Sequence, residues 1–221
     1  MNGATAYLVA AIGCVIAVAG VVVAVLALRS RRKQAAHPAE RDPFRVADDD
    51  ADALRGDPRQ LRPGDVVEIR GTSYGVRGTL RFTEGSWGWS EHLLDDARGA
   101  KLWLSVEEDP DLELVFWTTL PNPDEQLLPG TTRIEYDGQH YTLDESGEAS
   151  YTAVGTTGLK PSGTVLYHDY LDGGGVRLSF SAYGGDADWE MSRGELLTRA
   201  EVLIYRQAPA GPDGKPTGRA G

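Results

Sequence analysis

Positions 6–28 carry no charged side chain, and Tyr7 is their one polar aromatic. A backbone taken into hydrocarbon must satisfy every N–H and C=O internally, which for a lone segment means a helix. At about 1.5 Å per residue, these 23 positions reach about 34 Å, enough to cross a hydrocarbon layer of about 30 Å. Arg29-Ser30-Arg31-Arg32-Lys33 follows at once. Residues 1–5 hold no basic side chain and the apolar run is longer than a leader's, so the segment reads as a retained transmembrane helix, not a cleaved signal. The positive-inside rule then leaves residues 1–5 outside the cell membrane and everything after residue 33 in the cytoplasm. The expectation is a single-pass protein of the inner or plasma membrane.

Within that helix Ala6, Ala10, Gly13, Ala17, Gly20, Ala24 and Ala27 alternate spacings of four and three. A stripe of small residues lets transmembrane backbones approach closely, and its period of 3.5 favours left-handed packing. One reading is a helix partner, either a second copy or another membrane protein. The other is that Ala and Gly are ordinary content of such a segment. Cys14, mid-helix, reads as a small apolar filler.

The rest of the chain is acidic: 22 Lys+Arg stand against 33 Asp+Glu, for a net charge of -11. That balance argues against nucleic acid, whose binding needs a basic footprint. One cysteine excludes a disulfide framework and a cysteine-based zinc site, and no metal or cofactor is expected. Residues 29–60 form a basic and then acidic linker. Beyond the basic run they are rich in Ala, Asp, Arg and Pro without apolar periodicity, as a solvated tether is. Asp48-Asp49-Asp50-Ala51-Asp52 lacks the glycine and distal glutamate of a calcium loop. The tail, 207–221, is likewise a solvated segment by composition. Residues 61–206 remain as the folding unit.

That unit alternates with period two almost throughout, in short runs bounded by Gly, Asn, Asp and Pro. Strands are expected near 65–70, 74–84, 86–94, 101–107, 112–119, 131–136, 139–143, 147–154, 163–170, 175–183, 187–191 and 201–206, with a helical turn over Glu195 to Arg199. Asp137-Gly138 between two alternating runs is a hairpin signal, because both residues tolerate positive φ. The predicted class is all-β, an antiparallel sandwich or barrel. A weak echo runs through it. Val67-Glu68-Ile69-Arg70-Gly71 returns as Ile134-Glu135-Tyr136-Asp137-Gly138 at an offset of 67. Glu91 to Asp95 resembles His168 to Asp172 at an offset of 77, and Lys101 to Ser105 resembles Arg177 to Ser181. The echo reads either as two similar halves or as the cheap likeness of one β-rich segment to another.

Leu61-Arg62-Pro63-Gly64-Asp65, Tyr74 to Leu80, Trp89-Ser90-Glu91-His92-Leu93-Leu94-Asp95 and Leu102 to Glu107 form a series of blocks. Together they resemble a bacterial family, domain of unknown function 4178, over residues 60 to 206. The family usually has an aromatic residue where His92 stands. The resemblance implies a membrane-linked accessory role, since members accompany membrane proteins and polyamine-synthase-like enzymes in bacterial gene neighbourhoods. It brings no activity with it.

Candidate chemistry is sparse. There is no nucleophile elbow, Walker loop, zincin motif or dinucleotide fingerprint. Glu91 and His92, with His168 and Asp169 in the echoing position, are the groups that could meet at a metal or pair as acid and base. Neighbours on a strand point to opposite faces, however, so at most one of each couple reaches a given pocket. His37 and His140 have no ligand-spaced partner. Gly173-Gly174-Gly175 reads as a turn. Trp87 and Trp89 share a face, while Trp103, Trp117 and Trp189 fall in other strands. They form either a core or a groove for a peptide or a cation such as a polyamine, with Glu107, Glu108, Asp109, Asp111 and Glu113 supplying negative field. The leading expectation is a non-enzymatic accessory subunit that binds a cytoplasmic protein or a small cation. The alternative is an enzyme, with or without metal assistance, that uses Glu91 and His92 or His168 as acid–base groups.

Overall fold

Alternating sequence becomes antiparallel strands throughout: β1 (Val66–Ile69), β2 (Thr72–Glu84), β3 (Trp87–Asp95), β4 (Leu102–Glu108), β5 (Leu112–Leu120), β6 (Arg133–Tyr136), β7 (Gln139–Gly155), β8 (Ser162–Leu171), β9 (Arg177–Tyr183), β10 (Glu190–Leu197) and β11 (Val202–Tyr205). The computed structural model describes residues 55–120, 127, 129–184 and 188–207. The apolar run 6–28 with its small-residue stripe, most of the linker and the tail after residue 207 lie outside the described residues. Among the described residues no helix is long and apolar enough to cross a membrane.

The strand order is β11-β1-β2-β3-β4-β5-β10-β9-β8-β7-β6, with a further ladder between β2 and β7. That ladder joins β2 back to β7 and closes the eight strands between them into a barrel, leaving β1, β11 and β6 as extensions outside the ring. Full closure removes the edges an open sheet would present. Of the two expected architectures the ladder selects the barrel.

The register also resolves the echo. Two-residue turns with positive φ open each half: Arg70 (φ 51) and Gly71 (φ 79) between β1 and β2, Asp137 (φ 51) and Gly138 (φ 70) between β6 and β7. A bulge follows Val76 in β2 and another follows Leu143 in β7. Thr79 pairs with His92 across β2–β3 as Ser146 pairs with His168 across β7–β8. Where the two halves join, equivalent residues face each other, Thr83 opposite Ser150 and Thr118 opposite Arg193, as a pseudo-two-fold axis requires. The domain is therefore two five-strand halves, β1–β5 and β6–β10, related by that axis. The expected alignment of Glu91 with His168 is one residue out. His92 matches His168, and Glu91 matches Tyr167.

Most ring strands are covered on both sides. Outside the first half, Val67, Ile69, Leu94, Leu104, Leu114 and Ile204 pack together under β1 and β11. Outside the second, Ile134, Tyr141, Tyr170, Leu178, Phe180 and Met191 pack under β6. The opposite faces meet inside the barrel around Leu80, Phe82, Trp103, Tyr151 and Tyr167.

Three expectations change. Residues 139–155 form one strand rather than two, because the bulge after Leu143 absorbs Asp144 without ending the ladder. Glu195 to Leu197 continue β10 where a helical turn was expected. They pair with Phe116, Val115 and Leu114, and a 3-10 turn follows at Arg199–Glu201. Packing begins before residue 61: Pro58 is buried in a 3-10 turn capped by Asp57, and Arg59 grips Glu108 at 2.7 and 2.8 Å. The Pro-Gly-Asp block has a structural role. Asp65 is 1% exposed and accepts from the backbone N–H of Arg62 at 3.2 Å and of Gln207 at 3.0 Å, tying entry to exit.

Candidate functional site

Alternation that buries Leu178, Phe180 and Ala182 on the outer face of β9 turns Ser179, Ser181 and Tyr183 inward. On β8 the same rule turns Val165, Tyr167 and Asp169 inward, and on β3 Trp89 and Glu91. With Phe82 of β2 and Trp117 of β5, these side chains line a cavity of about 40 Å³ inside the barrel. That is room for about two or three water molecules, or one small head group. Trp117 lies flat across Gly194 of β10, where a Cβ would stand 2.5 Å from the indole ring. Phe82 stacks on Trp89 at 4.8 Å, and Trp89 meets Tyr167 edge-on at 5.8 Å.

Two carboxyls face this space, and none of the described lining residues is basic. Burial pushes Glu91 up to about 7, the charge of Asp169 adds to that, and the Trp89 indole N–H and Lys101 oppose it. Burial likewise pushes Asp169 up to about 7, helped by Glu145 and Asp144 and opposed by Ser179 and Arg177. One oxygen of Asp169, Oδ1, is buried without a hydrogen-bond partner. Burial, then the charge of Glu91, raises the Tyr183 phenol well above its ordinary value. Tyr167 is raised by burial and donates to Glu84 at 2.5 Å. The basic side chains nearest these acids already hold carboxylates. Lys101 grips Glu190 at 2.6 and 2.7 Å, and Arg177 reaches Glu113 at 2.9 Å, so each half sends a cation to the last strand of the other.

The family model for the domain of unknown function (DUF4178) matches residues 62–199. The chain belongs to the DUF4178 family. An uncharacterized protein of Mycobacterium bovis and two of Mycobacterium tuberculosis are each 37% identical to it over 198 residues, covering 87% of this chain and 92% of theirs. No solved structure matches.

Of the residues singled out in the sequence of this DUF4178 domain, Glu91 and Trp89 reach the cavity. Trp103 is buried in the same interior cluster but does not line it, and Trp87 is 56% exposed. His92 lies on the other face of β3, 2% exposed, with Nδ1 3.0 Å from Thr79 Oγ1; burial lowers it to about 4, so it is neutral. His168 also points outward, against Trp189 at 5.2 Å. Glu91 therefore shares no pocket with either histidine. The acidic stretch Glu107 to Glu113, at the β4–β5 connection, does not line the cavity either: Glu108 holds Arg59 and Glu113 holds Arg177. The triple glycine is a turn, its Gly174 N–H and the Val176 N–H both donated to Asp172 at 2.8 Å. Among the described residues no group of three or more His, Cys, Asp or Glu is placed to hold a metal ion.

Sequence reasoning weighed Asp169 only beside His168 and missed Tyr167, Ser179, Ser181 and Tyr183. The signal was present in Tyr167-x-Asp169 and Ser179-x-Ser181-x-Tyr183. Polar positions at period two are ordinarily assigned to solvent, and here solvent's place is the barrel interior.

Proposed function

We propose that this DUF4178 domain is a non-enzymatic binding module whose barrel interior takes the primary ammonium head of a small organic cation, such as an end of a polyamine. The observation that carries the reading is the pairing of two desolvated carboxyls, Glu91 and Asp169, in an aromatic-walled cavity with no basic lining residue. A buried negative pair is costly until a positive group neutralises it. Phe82, Trp89 and Trp117 add the π faces that attract a desolvated cation. Ser179, Ser181 and the free oxygen of Asp169 supply acceptors for N–H donors. A cavity of about 40 Å³, with room for about two or three waters, favours a compact –NH₃⁺ group that donates hydrogen bonds over a quaternary ammonium that donates none. The enzymatic alternative, Glu91 with His92 or His168, lacks a common pocket.

In the same reading the apolar run 6–28 anchors the domain on the cytoplasmic side of the membrane, with residues 29–33 inside. The stripe from Ala6 to Ala27 docks a membrane partner or a second copy. The protein then acts as an accessory subunit of a membrane system. Two experiments test this. Isothermal titration of the full chain with spermidine should show saturable binding that Glu91→Gln weakens at least about tenfold, the loss of one charged hydrogen bond, while tetramethylammonium should not bind. Equal affinity in wild type and Glu91→Gln would refute the site. Affinity purification from native membranes, wild type beside Gly13→Leu/Gly20→Leu, tests the stripe, and an unchanged set of partners would refute docking.

A further inference from the structure

The cavity must also balance its charge when no ligand is bound, and the surrounding groups decide how. Glu91 faces Asp169 from β8, Lys101 from the start of β4, Glu190 from β10 and the Tyr183 phenol from β9. Asp169 faces Asp144 and Glu145 on β7, Arg177 on β9 and the Tyr167 phenol two residues before it. Lys101 and Arg177 are each committed to another carboxylate, Glu190 and Glu113 respectively. Among the described residues, the two cations nearest the cavity acids are thus already paired, with only the Nε of Arg177 uncommitted, and Asp169 Oδ1 has no donor directed at it. Two carboxylates that face one small, low-dielectric space do not both ionise.

We infer that Glu91 and Asp169 together retain one proton at neutral pH in the ligand-free protein and release it when an ammonium head enters, so that capture is an exchange of H⁺ for the cation. This rests on the cavity being the cation site. The balance is simple: R–NH₃⁺ enters, one proton leaves to solvent, and the net charge of the cavity stays the same. The proton belongs to the pair rather than to either residue. Burial raises both carboxyls well above the ordinary carboxylate range, to about 7, so the shared proton is exchanged around neutral pH. Affinity should rise about tenfold per pH unit below the transition and level off above it, as linkage to one proton demands. The device makes the module report the ratio of amine to acid rather than amine alone.

The test is isothermal titration of the full wild-type chain with spermidine at several pH values, in phosphate and in Tris, whose ionisation heats differ. Infrared difference spectra with and without spermidine accompany it, to follow the C=O stretch of protonated carboxyls. The expected result is about one proton released per head bound near pH 7, with loss of a protonated-carboxyl band that Glu91→Gln or Asp169→Asn removes from the spectrum. Binding with no proton release and a flat pH profile would overturn the exchange and leave the cation site standing. Failure of spermidine to bind at any pH would remove the cation site and the exchange with it.

Discussion

Substituting Glu91 by Gln offers a test of the barrel interior that needs no ligand. Burial, reinforced by Asp169, raises this carboxyl from 4.5 to about 7. At about 1.4 kcal/mol for each tenfold change, that displacement corresponds to at most about 3.5 kcal/mol between the protonated and ionised protein. The sign follows from linkage. The folded protein holds the proton more tightly than the unfolded chain, so the contribution is fully present below about pH 4. It is lost as pH rises through about 7. Glutamine keeps the shape and polarity of the protonated acid at every pH. The variant should therefore exceed wild type by no more than about 1 kcal/mol at pH 5, and by about 1–3.5 kcal/mol at pH 8.5. For a domain of this size that is a rise of several degrees in Tm, at about 2–4 °C per kcal/mol. The assay is thermal unfolding of the full chain in mild detergent, followed by tryptophan fluorescence, since all five Trp lie between residues 87 and 189. A Glu91→Gln protein that is destabilised equally at both pH values would refute the argument, because it would show Glu91 ionised and usefully paired.

Other consequences are checked the same way. Gly194→Val sets a side chain against the Trp117 ring, already within 2.5 Å of a bare Cβ; a loss of about 1–3 kcal/mol and a shifted Trp emission are expected, and an unchanged spectrum would contradict the packing. Asp65→Ala leaves the N–H groups of Arg62 and Gln207 without their acceptor, so a loss of about 1–3 kcal/mol should appear in urea titration. His92→Ala empties a buried position on the outer face of β3, which should cost about 2 kcal/mol or more yet leave spermidine binding as in wild type. Lys101→Met, which breaks a partly exposed ion pair with Glu190, should cost no more than about 1 kcal/mol.

The all-β class and most strand positions were legible because period two is a local signal. Asp137-Gly138 marked its hairpin through the backbone each residue tolerates, and the Arg70-Gly71 turn repeats that geometry with a residue not usually favoured at positive φ. Closure of the barrel was not legible. It depends on β2 finding β7 and β5 finding β10, pairings between distant segments that no local pattern announces. The same non-local pairing extended β10 over Glu195 to Leu197, where the composition favoured a helical turn. The site was half legible: Glu91 and Trp89 stood out in a block with its own character, whereas Ser179, Ser181 and Tyr183 looked like a wetted strand face. Only the outer cover of Ile134, Tyr141 and Tyr170 against Leu178 and Phe180 makes that face internal.

β11 lies beside β1, and the Gln207 backbone hydrogen-bonds both Asp65 and Arg62. The chain enters and leaves the domain at one spot, and both strands at that spot stand outside the closed ring. Tension applied through either flanking segment is borne first by the four-residue β1–β11 ladder, a short clasp that can part while the eight ring strands and the acids inside them keep their arrangement. Whatever pulls on the ends, the interior is mechanically insulated from it.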